Sequence, residues 1–122
     1  MNPHFDYTPE VRSALETGQP VVALESTVIS HGLPFPQNLQ TALGMETQIR
    51  ETGAIPATIA VLDGRVQIGC SQAQLERLAH ETIEKLSLWN LPALIALGKS
   101  GGTTVATTAH LAHLAEIGRA HV

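Results

Sequence analysis

A glutamate, three hydroxyls, an imidazole and a glycine fall together in the stretch Glu25-Ser-Thr-Val-Ile-Ser-His31-Gly32. A carboxyl group can hold a proton for transfer, and an imidazole near it can orient or hydrogen-bond the reacting group. The place of this set matters as much as its content. Val21 to Leu24 is an apolar run with β-branched members, which predicts a buried strand. Glu25 then stands at the carboxyl end of that strand, where open α/β sheets collect their ligands. The competing reading is a solvated glutamate that caps a loop, the commoner fate of a lone charged side chain. Among the histidines, His31 has the best claim to a role because of its neighbour Glu25.

Other residues could do chemistry at first sight. Gly98-Lys99-Ser100 invites a phosphate loop, but the full motif needs a glycine five positions before Gly98, and that position is Ala93. A nucleoside-triphosphate site is therefore rejected. Gly101-Gly102-Thr103-Thr104 ahead of a helix could offer amides and hydroxyls to an anion; a plain glycine turn with an N-cap explains it equally well. His110 and His113, three apart on an expected helix, lack a third metal ligand. Lys85 alone reads as a solvated lysine. Cys70 reads as a small apolar filler.

The elements that must position these residues follow from local chemistry. Thr8 as N-cap, Pro9 at the first helical position and Gly18 at the end predict a helix over 8–17, with Val11, Ala14 and Leu15 inward. A second helix is expected over 37–52, where Leu39, Ala42, Leu43, Glu46 and Ile49 form one stripe, apolar except for Glu46. Gly53 suits its C-terminal end. Ala57 to Leu62 reads as a strand, Asp63-Gly64 as a tight turn, and Arg65 to Ile68 as the return strand. Ser71 with Gln74 predicts a capping box that opens a helix facing inward through Leu75, Leu78 and Ala79. Lys85-Leu86-Ser87 is a short strand or extended loop. Asn90 is expected to cap a short helix that ends near Gly98, and a last helix runs from Val105 to about Glu116. This order predicts an α/β fold, an α/β/α sandwich with a mixed sheet.

Composition limits the functions available. The chain has 122 residues, 43% of them apolar, enough for one core, and only 3% aromatic. Its net charge of −4, from 7 basic and 11 acidic residues, argues against a nucleic-acid surface. One cysteine allows no internal disulfide. No apolar run reaches a membrane span, and the first residues lack a signal core. A cytoplasmic protein without a membrane partner is expected.

Three motifs, LESTVISHGLPFPQN, GAIPATIAVLDGRVQIG and GGTTVATT, come in an order and spacing that resemble the amino-terminal part of the pseudouridine-5'-phosphate glycosidase family. The resemblance covers roughly Thr8 to Ala115 and implies an incomplete domain. It implies reversible cleavage of the C–C glycosidic bond of pseudouridine 5'-phosphate to uracil and ribose 5-phosphate. Glu25 matches the proton donor of the family. Lys85 matches a substrate-binding lysine, and the Thr104-Val105 segment a substrate-contacting one. The family further implies an imine-forming lysine, a manganese ion and a homotrimer, with both the lysine and the metal ligand lying past the end of this chain. One departure is visible: the family's Ser-Arg-Arg-Asp reads Ser87-Leu88-Trp89-Asn90 here, without the two arginines. The fragment is expected to be inactive by itself, and a non-catalytic phosphosugar-binding or assembly module is the alternative. Residues 116–122 have no structural logic and equal one reading frame of a sequencing adapter, so they are expected to be foreign to the domain.

Overall fold

The structure is a computed structural model and describes residues 1–118. It has six strands and six helices in the order β1 (Phe5–Tyr7), α1 (Pro9–Thr17), β2 (Val21–Leu24), α2 (Thr27–Ser30), α3 (Gln37–Glu51), β3 (Ile55–Leu62), β4 (Arg65–Ile68), α4 (Gln72–His80), β5 (Glu84–Leu86), α5 (Leu91–Ala96), β6 (Gly101–Thr103) and α6 (Val105–Leu114). The strands form one mixed sheet with the order β1-β4-β3-β6-β5, and β2 also pairs with β3.

The central strand β3 explains the layers. Ala57, Ile59 and Val61 face one core with Val11 of α1, Leu91 and Leu94 of α5, and Leu111 of α6. Ala60 and Leu62 face a second core with Ile29 of α2, Ala42 of α3, and Leu75 and Leu78 of α4. Both faces are covered, so the strand reads as a nearly continuous apolar run rather than an alternation. Ile59 and Val61 are fully buried, and each such side chain contributes about 1.5–3 kcal/mol of transfer free energy. The α/β/α arrangement is the expected one.

Local signals produced the expected local structures. The Thr8 hydroxyl accepts from the Val11 amide at the start of α1, and Gly18 ends that helix in the left-handed region. Ser71 and Gln74 make the reciprocal capping box. Asp63 and Gly64 both take positive φ, 52° and 77°, as a two-residue hairpin turn between right-twisted strands requires.

Four features differ from expectation. β2 is not fully buried: it pairs only with β3, and Val22 remains 40% exposed. β1, a three-residue strand parallel to β4, had no pattern of its own. Gly101 and Gly102, expected in a loop, form the buried strand β6 between β3 and β5. Their lack of side chains is what permits this, since a Cβ on Gly101 would stand 2.5 Å from Leu86 Cγ and one on Gly102 would strike Ser30 Oγ. Asn90 makes no side-chain cap on α5. Its amide instead bridges backward across the preceding turn.

Candidate active site

β2 runs parallel to the first half of β3, and β6 antiparallel to its second half. Their carboxyl ends therefore point at each other and meet where Ser26 faces Thr103. The meeting is fixed by buried hydroxyls. The Thr103 amide donates to Ser26 Oγ (2.8 Å) and the Ser26 amide to Thr103 Oγ1 (3.3 Å). Thr103 Oγ1 donates to the Ile59 carbonyl (2.6 Å) and accepts from Thr108 Oγ1 of α6 (2.8 Å). Ser26 and Thr103 are fully buried, so each bond replaces one that water would otherwise supply, and losing a partner costs about 1–3 kcal/mol.

This junction sets Glu25, immediately before Ser26, and Thr104, immediately after Thr103. Glu25 is half-buried beside a recess of about 10 Å³ lined by Leu24, Val28, Ile29, Ala42, Met45 and Thr58. That is room for no more than a water. Among the described residues no side chain bonds the Glu25 carboxyl group. Thr104 is the N-cap of α6: its hydroxyl accepts from the Thr107 amide (3.4 Å) and donates to the Leu86 carbonyl (3.0 Å). With its side chain committed, what it can offer a ligand is backbone at a helix start, where the first amides have no intrahelical partner. Val105, the first residue of α6, is 70% exposed.

Lys85 reaches the same region by register. It pairs with Gly102 in the parallel β5–β6 ladder, and paired residues share a face of the sheet. The Gly102 face is the one occupied by Ser30, so Lys85 leaves the sheet on the α2 side. It is exposed. His31 ends α2, with Nδ1 2.6 Å from Ser30 Oγ, and Ser30 Oγ lies 3.3 Å from the Ser26 carbonyl. The imidazole is thereby tied, through Ser30, to the residue that follows Glu25.

Other residues stand apart. The Lys99 carbonyl accepts from the Gly64 amide (2.9 Å), which puts Lys99 over the hairpin at the amino end of β6. His110 and His113 are exposed on α6. Cys70 Sγ lies 3.4 Å from the Thr58 carbonyl, and burial pushes its thiol up to about 12, which makes it an inert filler. Among the described residues no three His, Cys, Asp or Glu side chains come together to hold a metal ion, so these residues do not fit a resident manganese.

Two positions carried more than their sequence context suggested. Glu46, the odd member of the α3 stripe, is 4% exposed. It accepts from Thr58 Oγ1 at 2.7 Å and from Arg50 at 3.4 Å, pinning α3 to the strand that pairs with β2. A charge inside an apolar stripe was the available signal; its partner Thr58 was not. Ser87, just past β5, keeps a buried hydroxyl with no hydrogen-bond partner, and nothing in its sequence context announces that.

The three-layer α/β/α fold places Glu25 and the start of α6 at converging strand ends, with Lys85 on the neighbouring strand β5. The chain belongs to the family described as indigoidine synthase A like protein, whose model matches residues 10–119. It is 52% identical over 118 residues to the pseudouridine-5'-phosphate glycosidase of Deinococcus radiodurans, covering 96% of this chain and 38% of that protein. The protein of the same name from Escherichia coli K12 is 52% identical over 112 residues, covering 90% and 36%. Among solved structures, the prealnumycin C-glycosynthase AlnA in complex with ribulose 5-phosphate superposes with a TM-score of 0.83 at 34% identity, covering 96% of this chain and 38% of that one. The chain thus spans little more than a third of the length of these relatives.

Proposed function

We propose that this chain carries the general-acid part of a pseudouridine-5'-phosphate glycosidase, an enzyme that reversibly splits the C–C bond between uracil and ribose 5-phosphate. The single observation that carries the reading is Glu25, held at the meeting of β2 and β6 with no side-chain partner, in a chain 52% identical to proteins of that name. Carbon is a poor leaving group, so the departing uracil carbon must be given a proton, and Glu25 is the donor. Lys85 holds the phosphate as a point charge. Val105 and the Thr104 backbone line the sugar, and His31 orients the segment through Ser30. A phosphosugar ligand agrees with the ribulose 5-phosphate complex of the structural relative.

The remaining parts of the reaction lie outside this chain. An imine-forming lysine supplies the electron sink for C–C cleavage, and a manganese ion takes its ligands from residues this chain does not contain. The working protein is a homotrimer of the cytoplasm. By itself the 122-residue chain turns over nothing, because catalytic groups that act as a unit fail together. The same residues without their partners make a phosphosugar-binding module, the second reading.

Uracil release tests this. In a full-length protein carrying these residues, Glu25→Gln keeps the shape and removes the proton, and kcat is expected to fall on the order of 10²-fold or more with little change in KM. Wild-type turnover by that variant, or turnover by the 122-residue chain, overturns the assignment.

A further inference from the structure

Among the described residues Glu46 is the only charged side chain that is buried, and the proposed chemistry gives it no task. Taking a carboxylate out of water is expensive, and apolar side chains of like volume often serve stability as well or better. Its neighbours on the same stripe, Leu39, Ala42 and Leu43, already pack against the second core. What Glu46 adds is direction. Oε2 accepts from the Thr58 hydroxyl at 2.7 Å, and Oε1 faces Arg50 at 3.4 Å. Arg50 is in turn held by both carboxylate oxygens of Glu10 on α1 (2.9 and 3.0 Å). The buried acceptor is thus steadied from α1 and α3 and aimed at one residue of β3. Thr58 is in register with Leu24, the last residue of β2, so it flanks the point where the chain passes into Glu25. Its carbonyl is taken by the Gly69 amide (3.0 Å), which leaves the Thr58 hydroxyl to be fixed by Glu46. Thr58, Ala42 and Met45 are all part of the wall of the recess beside Glu25, and Ala42 stands one turn before Glu46 on α3.

We infer that Glu46 is a positioning residue for the acid Glu25: its bond to Thr58 locks the wall against which the Glu25 side chain is set. The inference rests on the function proposed above, since only there does the aim of Glu25 matter. Glu46 acts through Thr58 and α3, not on the substrate. A hydroxyl bonded to a carboxylate is short and directional, so it fixes the wall more narrowly than apolar packing would. A misplaced acid costs rate, because proton transfer needs close alignment. It costs little affinity, because Lys85 and the start of α6 hold the substrate from other elements.

A double variant separates this role from a merely structural one. Glu46→Leu with Thr58→Val removes both partners together, and replacing a bonded pair by apolar groups of like shape is nearly neutral for stability. In a full-length protein carrying these residues, the urea midpoint and the KM for pseudouridine 5'-phosphate should stay near the parent's. The kcat of uracil release should fall on the order of tenfold or more. Thr58→Ser keeps the donor and should keep kcat. Thr58→Val alone should show the same loss of kcat, and it decides the matter if the double variant does not fold. In a Glu25→Gln background the double substitution should lower kcat no further, because no acid is left to misplace; a structural role would lower kcat equally in both backgrounds. A folded double variant with the parent's kcat, equal losses in both backgrounds, or a raised KM with kcat unchanged each overturns the inference. If Glu25→Gln is impaired while the double variant is not, the positioning role falls and the function stands. If Glu25→Gln itself turns over like the parent, both fall.

Discussion

The hairpin at Asp63-Gly64 and the junction at Ser26 and Thr103 are both places where strands are brought together, and they are held by opposite means. The hairpin joins β3 to β4 through a two-residue turn, and its ties are surface charges. Arg77 pairs with Asp63 (3.0 Å) and Glu81 (2.7 Å), and Arg65 with Asp6 on β1. The junction joins residues 77 positions apart through neutral hydroxyls shielded from solvent. The hairpin is cheap to close because its loop is short, whereas the junction has to recover the entropy of a long loop from buried bonds and packing. The proposed function sits at the junction. A buried hydroxyl network has few alternative satisfied arrangements, so it fixes Glu25 and Thr104 more tightly than mobile surface ions could.

The comparison breaks most visibly at Thr103. Thr103→Val keeps the shape and removes the hydroxyl, leaving the Ser26 amide and the Thr108 hydroxyl without that partner inside the core. Two orphaned donors cost about 1–3 kcal/mol each, and a urea midpoint should record the loss. Affinity for ribose 5-phosphate should fall too, because Thr104 and Glu25 hang on the same junction. A variant as stable as the parent would show that packing, not the hydroxyl lock, closes this end of the sheet.

Lys85→Ala separates site from scaffold. Lys85 is exposed on the short strand β5, so the urea midpoint should barely move. Removing a charge-assisted contact to a phosphate should weaken ribose 5-phosphate binding by about 1.5–3 kcal/mol, read in the full-length protein as a raised KM with kcat little changed. Unchanged affinity would remove Lys85 from the site and leave α6 to hold the phosphate.

The same contrast decides what could be read from the residues alone. The Thr8 cap, the Asp63-Gly64 turn and the Ser71–Gln74 box each close within a few residues, and each appeared as expected. β1 and β6 are three residues long, and β6 contains two glycines that disfavour strands on propensity; only pairing with distant partners makes them strands. Asn90 shows a local signal losing to its surroundings: the residue type suits an N-cap, but its amide is spent on Ser87 and Lys85. Glu25 and His31 were singled out by residue type and by their place after a strand, and Lys85, Thr104 and Val105 by motif order. How Glu25 and Thr104 are set against each other depends on Ser26 finding Thr103, and no spacing in the chain encodes that contact. Trp89 was visible only as a departure from a familiar string and Ser87 only as a match to it, because exposure and a missing partner are properties of the fold.

The smallest expected effect is acidity, and of the two regions it belongs to the hairpin; the Glu10–Arg50 pair between α1 and α3 adds to it from outside both. The Arg77 guanidinium holds the carboxyl groups of Asp63 and Glu81 below their ordinary range, and Arg65 does the same to Asp6. A carboxylate whose pKa is lower folded than unfolded binds fewer protons in the native state. Its contribution is therefore complete above the ordinary values near 4, fades as pH falls below them, and is gone below the depressed folded values. The junction hydroxyls do not titrate in this range. Stability from these pairs should thus be flat between pH 7 and pH 5 and decline below about 4. The decline should be modest, because the partners are 36% and 72% exposed in the Arg77–Asp63 pair and such pairs are screened by water and salt. Thermal midpoints measured across pH for the parent and for Asp63→Asn with Glu81→Gln would separate the regions. The double variant should lose part of the acid limb and keep its affinity for ribose 5-phosphate at neutral pH. An acid limb unchanged by the double substitution would mean that the ion pairs decorate a hairpin whose turn and strand pairing already suffice.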